Sequence, residues 1–183
     1  MSWETYDSLV SMQVMLFAKS RRSLYATITI DADAALMNKI HEIWLETVEP
    51  VKSAEGLQLS LGYFPLTKDL LENSKLSGGN AMNIDPDDGP LMIVFLYNTW
   101  ASEADDERIH TFITNSLKQF RQAASEKGLL HRYIFTNYAY QTEDVLAGYG
   151  EESLERMKEV SKKYDPEGIF QKAVPGGFKL FKA

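Results

Sequence analysis

Two short stretches carry side chains with usable chemistry. In "FLYNTW", positions 95–100, Tyr97 and Thr99 are two residues apart. A strand would put that phenol and that hydroxyl on one face. In "FTNYAY", positions 135–140, Asn137 and Tyr138 supply an amide and a second phenol. Adjacent residues of a regular strand point to opposite faces, so only one of these two can aim into a shared cavity. Hydrogen-bond donors of this kind stabilise charge that develops on a carbonyl during reaction. The competing reading of Tyr97 is a sheet tyrosine whose hydroxyl bonds the backbone. For Asn137 and Tyr138 it is a structural role in holding the tail. His131 opens the last expected strand and is the candidate general base. Its competing reading is a turn histidine. His41 and His110 fall beside the apolar stripes of their helices and read as solvated. No two histidines have metal-ligand spacing, so no metal is expected. "DPDD", positions 85–88, reads as a solvated turn, since a calcium loop needs a longer series of oxygen ligands. "ADDERI" puts acids at a helix start, where the helix dipole favours them.

Composition narrows the class. The chain has 183 residues, 44% hydrophobic and 25% charged, ordinary values for a soluble domain with a real core. The formal charge of −7 argues against nucleic acid or an anionic membrane surface as partner. With no cysteine, disulfides, thiolate catalysis and zinc–cysteine sites are excluded. The first residues, acidic and without an uninterrupted apolar core, read as mature protein, and the expected location is cytoplasmic. Residues 1–183 read as a single domain, with a core over 23–138 and a helical tail over 141–183.

The elements that would position these groups follow from periodicity. Trp3, Tyr6, Val10, Val14 and Phe17 step at helical spacing over 3–18. "SLYATITI", 23–30, alternates: Leu24, Ala26, Ile28 and Ile30 against Tyr25, Thr27 and Thr29. A helix follows, capped by Asp31 or Asp33, with Leu36, Ile40, Ile43 and Thr47 in its stripe and Pro50 closing it. "LQLSLGYF", 57–64, alternates again and leads to a short helix and a turn-rich loop over 77–90. The stretch 91–100 is apolar on both faces and predicts a central strand. A strong helix ending at Gly128 carries Ile109, Phe112, Ile113, Leu117 and Phe120. A last strand is predicted over 132–140, then helical pieces near 143–163 and 167–172.

This order, strand–helix–strand–strand–helix–strand, predicts an α+β, ferredoxin-like (βαββαβ) four-stranded antiparallel sheet with both helices on one face. The other face offers Tyr25, Thr27, Thr29, Gln58, Ser60, Tyr97 and Thr99, together with Phe135 or Asn137. The N-terminal helix, the tail or a second copy must cover it.

The segments "GLQLSLGYFPL", "GGNAMNIDPDDGPLMIVFLYNTW", "ADDERI", "TNYAY" and "GYGEESLERMKEVSKKYDPEGIFQKAVPGGFKL" occur in this order. Together they resemble the C-terminal, substrate-domain part of fungal berberine-bridge-enzyme-like FAD-linked oxidases. The resemblance implies that the open sheet face covers the flavin ring and holds substrate, with Tyr25, Thr27, Thr29, Gln58, Ser60, Phe64, Thr99, Phe135 and Tyr138 lining it. The catalytic candidates are Tyr97, from its place in the alternation, Asn137, which with Tyr138 matches the family pattern, and His131, from its place at the edge of the face. The family's flavin-binding domain has no counterpart here, and "SGG" and "PGG" are too short for a phosphate cradle. The chain alone is therefore expected not to bind FAD. Where the family often has Tyr-x-Asn-Tyr, this chain has Phe135-Thr136-Asn137-Tyr138, and Phe64 replaces a common Gln before Pro65. Both changes remove polar groups near a flavin.

Three readings follow. One is a free-standing, cofactor-independent cyclase or isomerase of natural-product metabolism. It would bind an apolar, polyketide- or terpenoid-like molecule and work as a homodimer. Another is the substrate-domain subunit of a split oxidase, docked on a separate flavin-domain protein. The third is a non-catalytic small-molecule-binding remnant.

Overall fold

The computed structural model describes residues 22–181. The helix expected over 3–18 lies outside the described residues. The elements are β1 (Arg22–Asp31), α1 (Ala34–Val48), β2 (Gln58–Leu66), α2 (Lys68–Leu76), β3 (Leu91–Trp100), α3 (Asp106–Glu126), β4 (Leu130–His131), α4 (Glu151–Tyr164) and α5 (Ile169–Lys172). The strands form one sheet in the order β2-β3-β1-β4, with every pair antiparallel. This is the ferredoxin-like arrangement.

Alternation explains the sheet's two faces. Ala26, Ile28 and Ile30 of β1 and Val94, Leu96 and Trp100 of β3 point to the helices and are buried. The stripe of α1, Leu36, Ile40 and Ile43, and that of α3, including Ile109, Phe112, Ile113, Leu117 and Phe120, close this core. Asp33, not Asp31, caps α1: its carboxylate accepts the Leu36 N–H at 2.6 Å. After α3 the chain turns at Gly128, whose φ of 68° is the left-handed conformation glycine adopts readily.

The expected strand over 132–140 is not formed. Only Leu130 and His131 pair with β1, opposite Ile30 and Thr29. The cause is local. The His131 ring takes the Tyr133 N–H on Nδ1 at 3.2 Å, so a side chain captures a donor near the strand end. Arg132 donates to the carbonyls of Gly148 and Asn83. The chain then leaves the sheet edge and crosses the open face, with a 3-10 turn at Thr136–Tyr138. The helix expected near 143–163 starts at Glu151, and that expected over 167–172 starts at Ile169.

This crossing segment builds a second core on the other side of the sheet. Leu91 and Ile93 of β3 pack there with Leu71, Ile84, Tyr133, Val145 and Tyr149. Phe135, Met157 and Phe178 pack against its margin. One half of the open face is therefore covered by the chain itself. Among the described residues, no helix is long and apolar enough to cross a membrane.

Candidate functional site

The half of the face not taken by the second core carries six aromatic rings. Register sets the first of them: Tyr25 lies opposite Tyr97, and Thr27 opposite Phe95. Ser60 lies opposite Tyr97, and Gly62 opposite Phe95. The Tyr25 and Tyr97 rings stack at 4.5 Å and 22°. Tyr138, brought in by the crossing segment, stacks on Tyr25 at 4.5 Å and 12°. Phe64 stacks on Phe95 at 4.9 Å, and Tyr138 stands 5.4 Å from Phe95 and 5.2 Å from Phe135. Phe64, at 44% exposed, opens this cluster to the outside.

Glycine at position 62 is required by this arrangement. A Cβ there would fall 2.2 Å from Cζ of Phe95, because the phenyl ring lies across the glycine. The ring in this way covers bare backbone of β2, an outer strand of the sheet.

Beside the stack runs a groove of about 490 Å³, lined by Tyr25, Asn137, Ala139, Gln141, Gly176 and Phe178 among others. Asn137 is exposed at its rim, on the 3-10 turn. A second cleft, about 530 Å³, lies between α4, α5 and the 78–81 loop. Its wall is mostly apolar, with Arg156, Ser153 and Ser161 among its polar groups. The Asp165 carboxylate accepts the Ile169 and Phe170 N–H groups, and the Gln171 amide oxygen accepts that of Leu180. We place the site at the aromatic face, where rings and hydrogen-bonding groups converge.

The residues expected to line a cavity divide into three groups. Tyr25, Phe64, Tyr97, Phe135 and Tyr138 come together in the cluster, with Ser60 and Asn137 at its edges. Gln58 and Thr99 bond each other one row further on, Thr99 Oγ1 donating to Oε1 at 3.3 Å. Thr27 and Thr29 are on the expected face but are fully buried. Thr27 Oγ1 donates to the Val94 carbonyl at 2.9 Å, and Thr29 Oγ1 is buried without a hydrogen-bond partner. Neither presents itself to a ligand arriving from outside.

His131 stands apart from the cluster. It is level with Thr29, roughly 13 Å along β1 from Tyr25 at the usual strand rise. Nδ1 is occupied by the Tyr133 N–H, and Nε2 is 3.6 Å from an Asp88 carboxylate oxygen. Its side chain is 11% exposed. It is not a base for a molecule on the aromatic face. The expectation of a solvated His110 is also corrected: Nδ1 sits 2.6 Å from the hydroxyl of buried Tyr140. The "DPDD" turn is a 3-10 turn closed by a capping box between Asp85 and Asp88. The acids of "ADDERI" hold neighbours as well as the helix start. Asp105 accepts the Glu55 N–H and Arg108 Nε, and Asp106 accepts Trp100 Nε1 at 2.7 Å.

Sequence reasoning passed over Phe95, Gln141 and Phe178. Phe95 was within reach, because the alternation that pairs Tyr97 with Thr99 puts Phe95 on the same face. Gln141 and Phe178 come from segments whose approach to β1 has no local signal.

One phenol of the face is shifted electrostatically. Burial pushes the Tyr25 phenol above its ordinary value, and the neighbouring Tyr97 and Tyr138 phenols add to this. Tyr25 thus stays a neutral hydrogen-bond donor through the neutral range. Among the described residues, no cluster of three or more His, Asp or Glu side chains is placed to hold a metal.

No family model matches the chain. Comparison with curated proteins finds fungal relatives. The chain is 35% identical over 164 residues to the FAD-dependent monooxygenase FUP4 of Fusarium proliferatum, covering 87% of this chain and 32% of that protein. It is 38% identical over 165 residues to the FAD-dependent monooxygenase tpcD of Cochliobolus heterostrophus, again 87% and 32%. It is 25% identical over 178 residues to the bifunctional solanapyrone synthase of Alternaria solani, 97% of this chain and 34% of that protein. The chain spans about a third of the length of these relatives.

These names raise FAD, and the described residues do not fit it. A common cradle for a dinucleotide's diphosphate is a glycine-rich turn leading into a helix start with free backbone N–H groups. Gly78 and Gly79 instead follow the end of α2, and Gly176 and Gly177 follow α5. The four longer helices begin on or beside a carboxylate, Asp33, Asp69, Asp106 and Glu151, which repels phosphate.

Proposed function

We propose that the aromatic face is the substrate-binding wall of an enzyme of fungal natural-product metabolism, and that its ligand is an apolar, unsaturated small molecule of polyketide or terpenoid type. The observation that carries this reading is the cluster itself: six rings on one half of a sheet face, with Ser60 and Asn137 at the edges. Stacked rings bind a conjugated chain or ring through area and π contacts. Neutral phenols beside them can donate to a carbonyl.

The same chemistry favours positioning over proton transfer. The one histidine of the open face is turned to Asp88 and Tyr133, and the phenol of Tyr25 is held neutral. A flavin-independent ring closure of pericyclic type, which depends on holding a flexible molecule in a reactive conformer, suits such a wall better than an acid–base isomerisation. The similarity to a bifunctional solanapyrone synthase supports a biosynthetic role of this general kind. In this reading Tyr97 and Asn137 are donors, Tyr25, Phe64 and Phe135 bind the substrate, and Tyr138 completes the ring cluster. A homodimer would close the exposed rings around Phe64.

A second reading is favoured by the names of FUP4 and tpcD. The chain would be the substrate-side part of an FAD-linked oxidase of the berberine-bridge-enzyme-like type. The flavin would then be held by polypeptide other than the described residues.

One experiment separates the two. The purified chain is examined by visible absorption and light scattering, then incubated with linear polyene ketones, and the products are weighed by mass spectrometry. Closure leaves the substrate mass unchanged. Oxidation removes two hydrogens and, because the second reading puts the flavin on other polypeptide, appears only when a flavin-bearing partner protein is added to the chain. A colourless protein that neither binds nor converts any member of the panel contradicts the first reading.

A further inference from the structure

Tyr138 is the central ring of the cluster. Its centroid is 4.5 Å from Tyr25, 5.2 Å from Phe135, 5.4 Å from Phe95 and 6.1 Å from Phe64. With Tyr25 it is almost parallel, at 12°. These are the usual distances and tilts of packed aromatic rings, which a planar ligand ring can equally adopt. Thr27, between the Tyr25 and Thr29 positions of β1, has no exposed surface.

The members of this cluster are not held alike. Tyr25, Tyr97, Phe95 and Phe64 stand on strands tied into the ladder on at least one side. Tyr138 stands on one 3-10 turn, closed by Tyr138 N–H to Phe135 O at 3.0 Å and Ala139 N–H to Thr136 O at 3.4 Å. The anchors of that turn lie to either side of the ring. Thr136 bonds the Tyr149 hydroxyl, and Tyr140 is buried against His110. Between these anchors, Asn137 is exposed and lines the groove of about 490 Å³ that reaches Tyr25. The ring that fills the slot is thus carried by a turn and not by the ladder, and the groove opens at its stacking partner Tyr25 and at its chain neighbours Asn137 and Ala139.

We propose that the Tyr138 ring is an exchangeable occupant of a planar binding slot. It holds the place of a flat, oxygen-bearing ring of the ligand, and binding displaces it toward the neighbouring groove. This deepens the proposed function and rests on the reading that the aromatic face binds a small molecule. The slot selects conjugated, near-planar groups with a hydroxyl or carbonyl, because the occupant it accepts is itself a phenol. A protein whose competent state is only partly populated binds with an apparent affinity lowered by that fraction. Tyr138 therefore sets affinity by competing for its own site.

The test is equilibrium dialysis of the full chain against 2-naphthol, a planar phenol larger than tyrosine's ring. It uses wild type, Tyr138→Ala, Tyr138→Phe and the pair Tyr25→Ala with Tyr138→Ala. Exchange predicts that Tyr138→Ala binds at least about tenfold more tightly than wild type, since no occupant must leave. Tyr138→Phe keeps the occupant and should match wild type, and adding Tyr25→Ala should abolish the gain. If Tyr138→Ala binds no more tightly than a binding-competent wild type, Tyr138 is a fixed wall. Exchange is then wrong while the face remains a binding surface. If neither wild type nor Tyr138→Ala binds, both ideas fall for planar phenols. A second readout covers a poorly folded variant. In wild type saturated with 2-naphthol, the proton NMR cross-peaks between the Tyr138 and Tyr25 rings should be lost, and unchanged cross-peaks at saturation overturn exchange.

Discussion

Replacing Gly62 by alanine tests the packing that builds the aromatic face. The backbone at this position is ordinary strand with no positive φ, so conformation alone would make alanine favourable by about 0.4–1 kcal/mol. Packing opposes this. The new Cβ would lie 2.2 Å from Cζ, 2.5 Å from Cε1 and 2.9 Å from Cε2 of Phe95. The ring must withdraw by about 1 Å or more to reach ordinary contact, which such overpacking charges at about 1–3 kcal/mol. Withdrawal also disturbs its stack with Phe64 and its contact with Tyr138, each worth about 0.5–1.5 kcal/mol. The net expectation is a loss of about 1–3 kcal/mol in urea denaturation. For a chain of this size that corresponds to a fall in melting temperature of a few to about ten degrees. The cycle with Phe95→Leu isolates the cause. Gly62→Ala in the Phe95→Leu background should cost little or stabilise, because the ring it strikes is gone. Equal losses in both backgrounds, or a neutral Gly62→Ala, would refute the claim that the glycine exists to seat this ring.

Burial pushes Tyr133 up to about 12, with Tyr149 adding to the effect. A raised folded pKa gives stability that is complete below pH about 10 and is lost as pH rises through 12, amounting to about 2–3 kcal/mol. Urea stability measured from pH 8 upward should fall less steeply for Tyr133→Phe than for wild type, and parallel curves would count against it. Arg22, and then Trp100 Nε1, hold the Asp106 carboxyl below its usual range. That contribution is present above about pH 4 and lost as pH falls through the depressed folded value. Asp106→Asn should therefore flatten the acid limb of the stability curve, and an unchanged limb would show that the pair contributes nothing. Thr29 Oγ1 is buried with no hydrogen-bond partner, so Thr29→Val should be neutral or stabilising by up to about 1 kcal/mol. A loss larger than that in thermal denaturation would reveal a buried water bonded to the hydroxyl.

The sheet and its helices were legible because each carries a period the solvent enforces. β1 alternates because one face meets α1 and α3, and α3 shows its stripe because only that stripe is buried. The same alternation placed Tyr25, Tyr97 and Thr99 correctly on one face. It could not reveal that Thr27 and Thr29 are covered, since the cover comes from residues a hundred positions later. The stretch 132–140 misled for a physical reason. Tyr133, Ile134, Phe135 and Ala139 are apolar on both sides because the segment crosses a face and packs into the second core, and such a run looks like a buried strand. His131 looked like an edge histidine for the same reason: nothing in the sequence places Asp88 beside it.

The early end of β4 is what makes the site. Had residues 132–140 continued along the edge of β1, Tyr138 would have lain beside the sheet, and Tyr25, Phe95 and Phe64 would have remained a bare patch of the kind that invites association. Ending the ladder at His131 releases nine residues across that face. The first, Arg132, ties the segment to Gly148 and Asn83. Tyr133 fixes it in the second core, and Tyr140 fixes it to His110 at the other end. Between these attachments the chain delivers one phenol onto the stack through a single turn. The covered half of the face thus carries the second core and the other half carries the ring cluster, and the boundary between them is set by where β4 stops. It follows that a change which lengthens β4, by freeing the Tyr133 N–H from the His131 ring, should disturb the aromatic face before it disturbs the helix-side core.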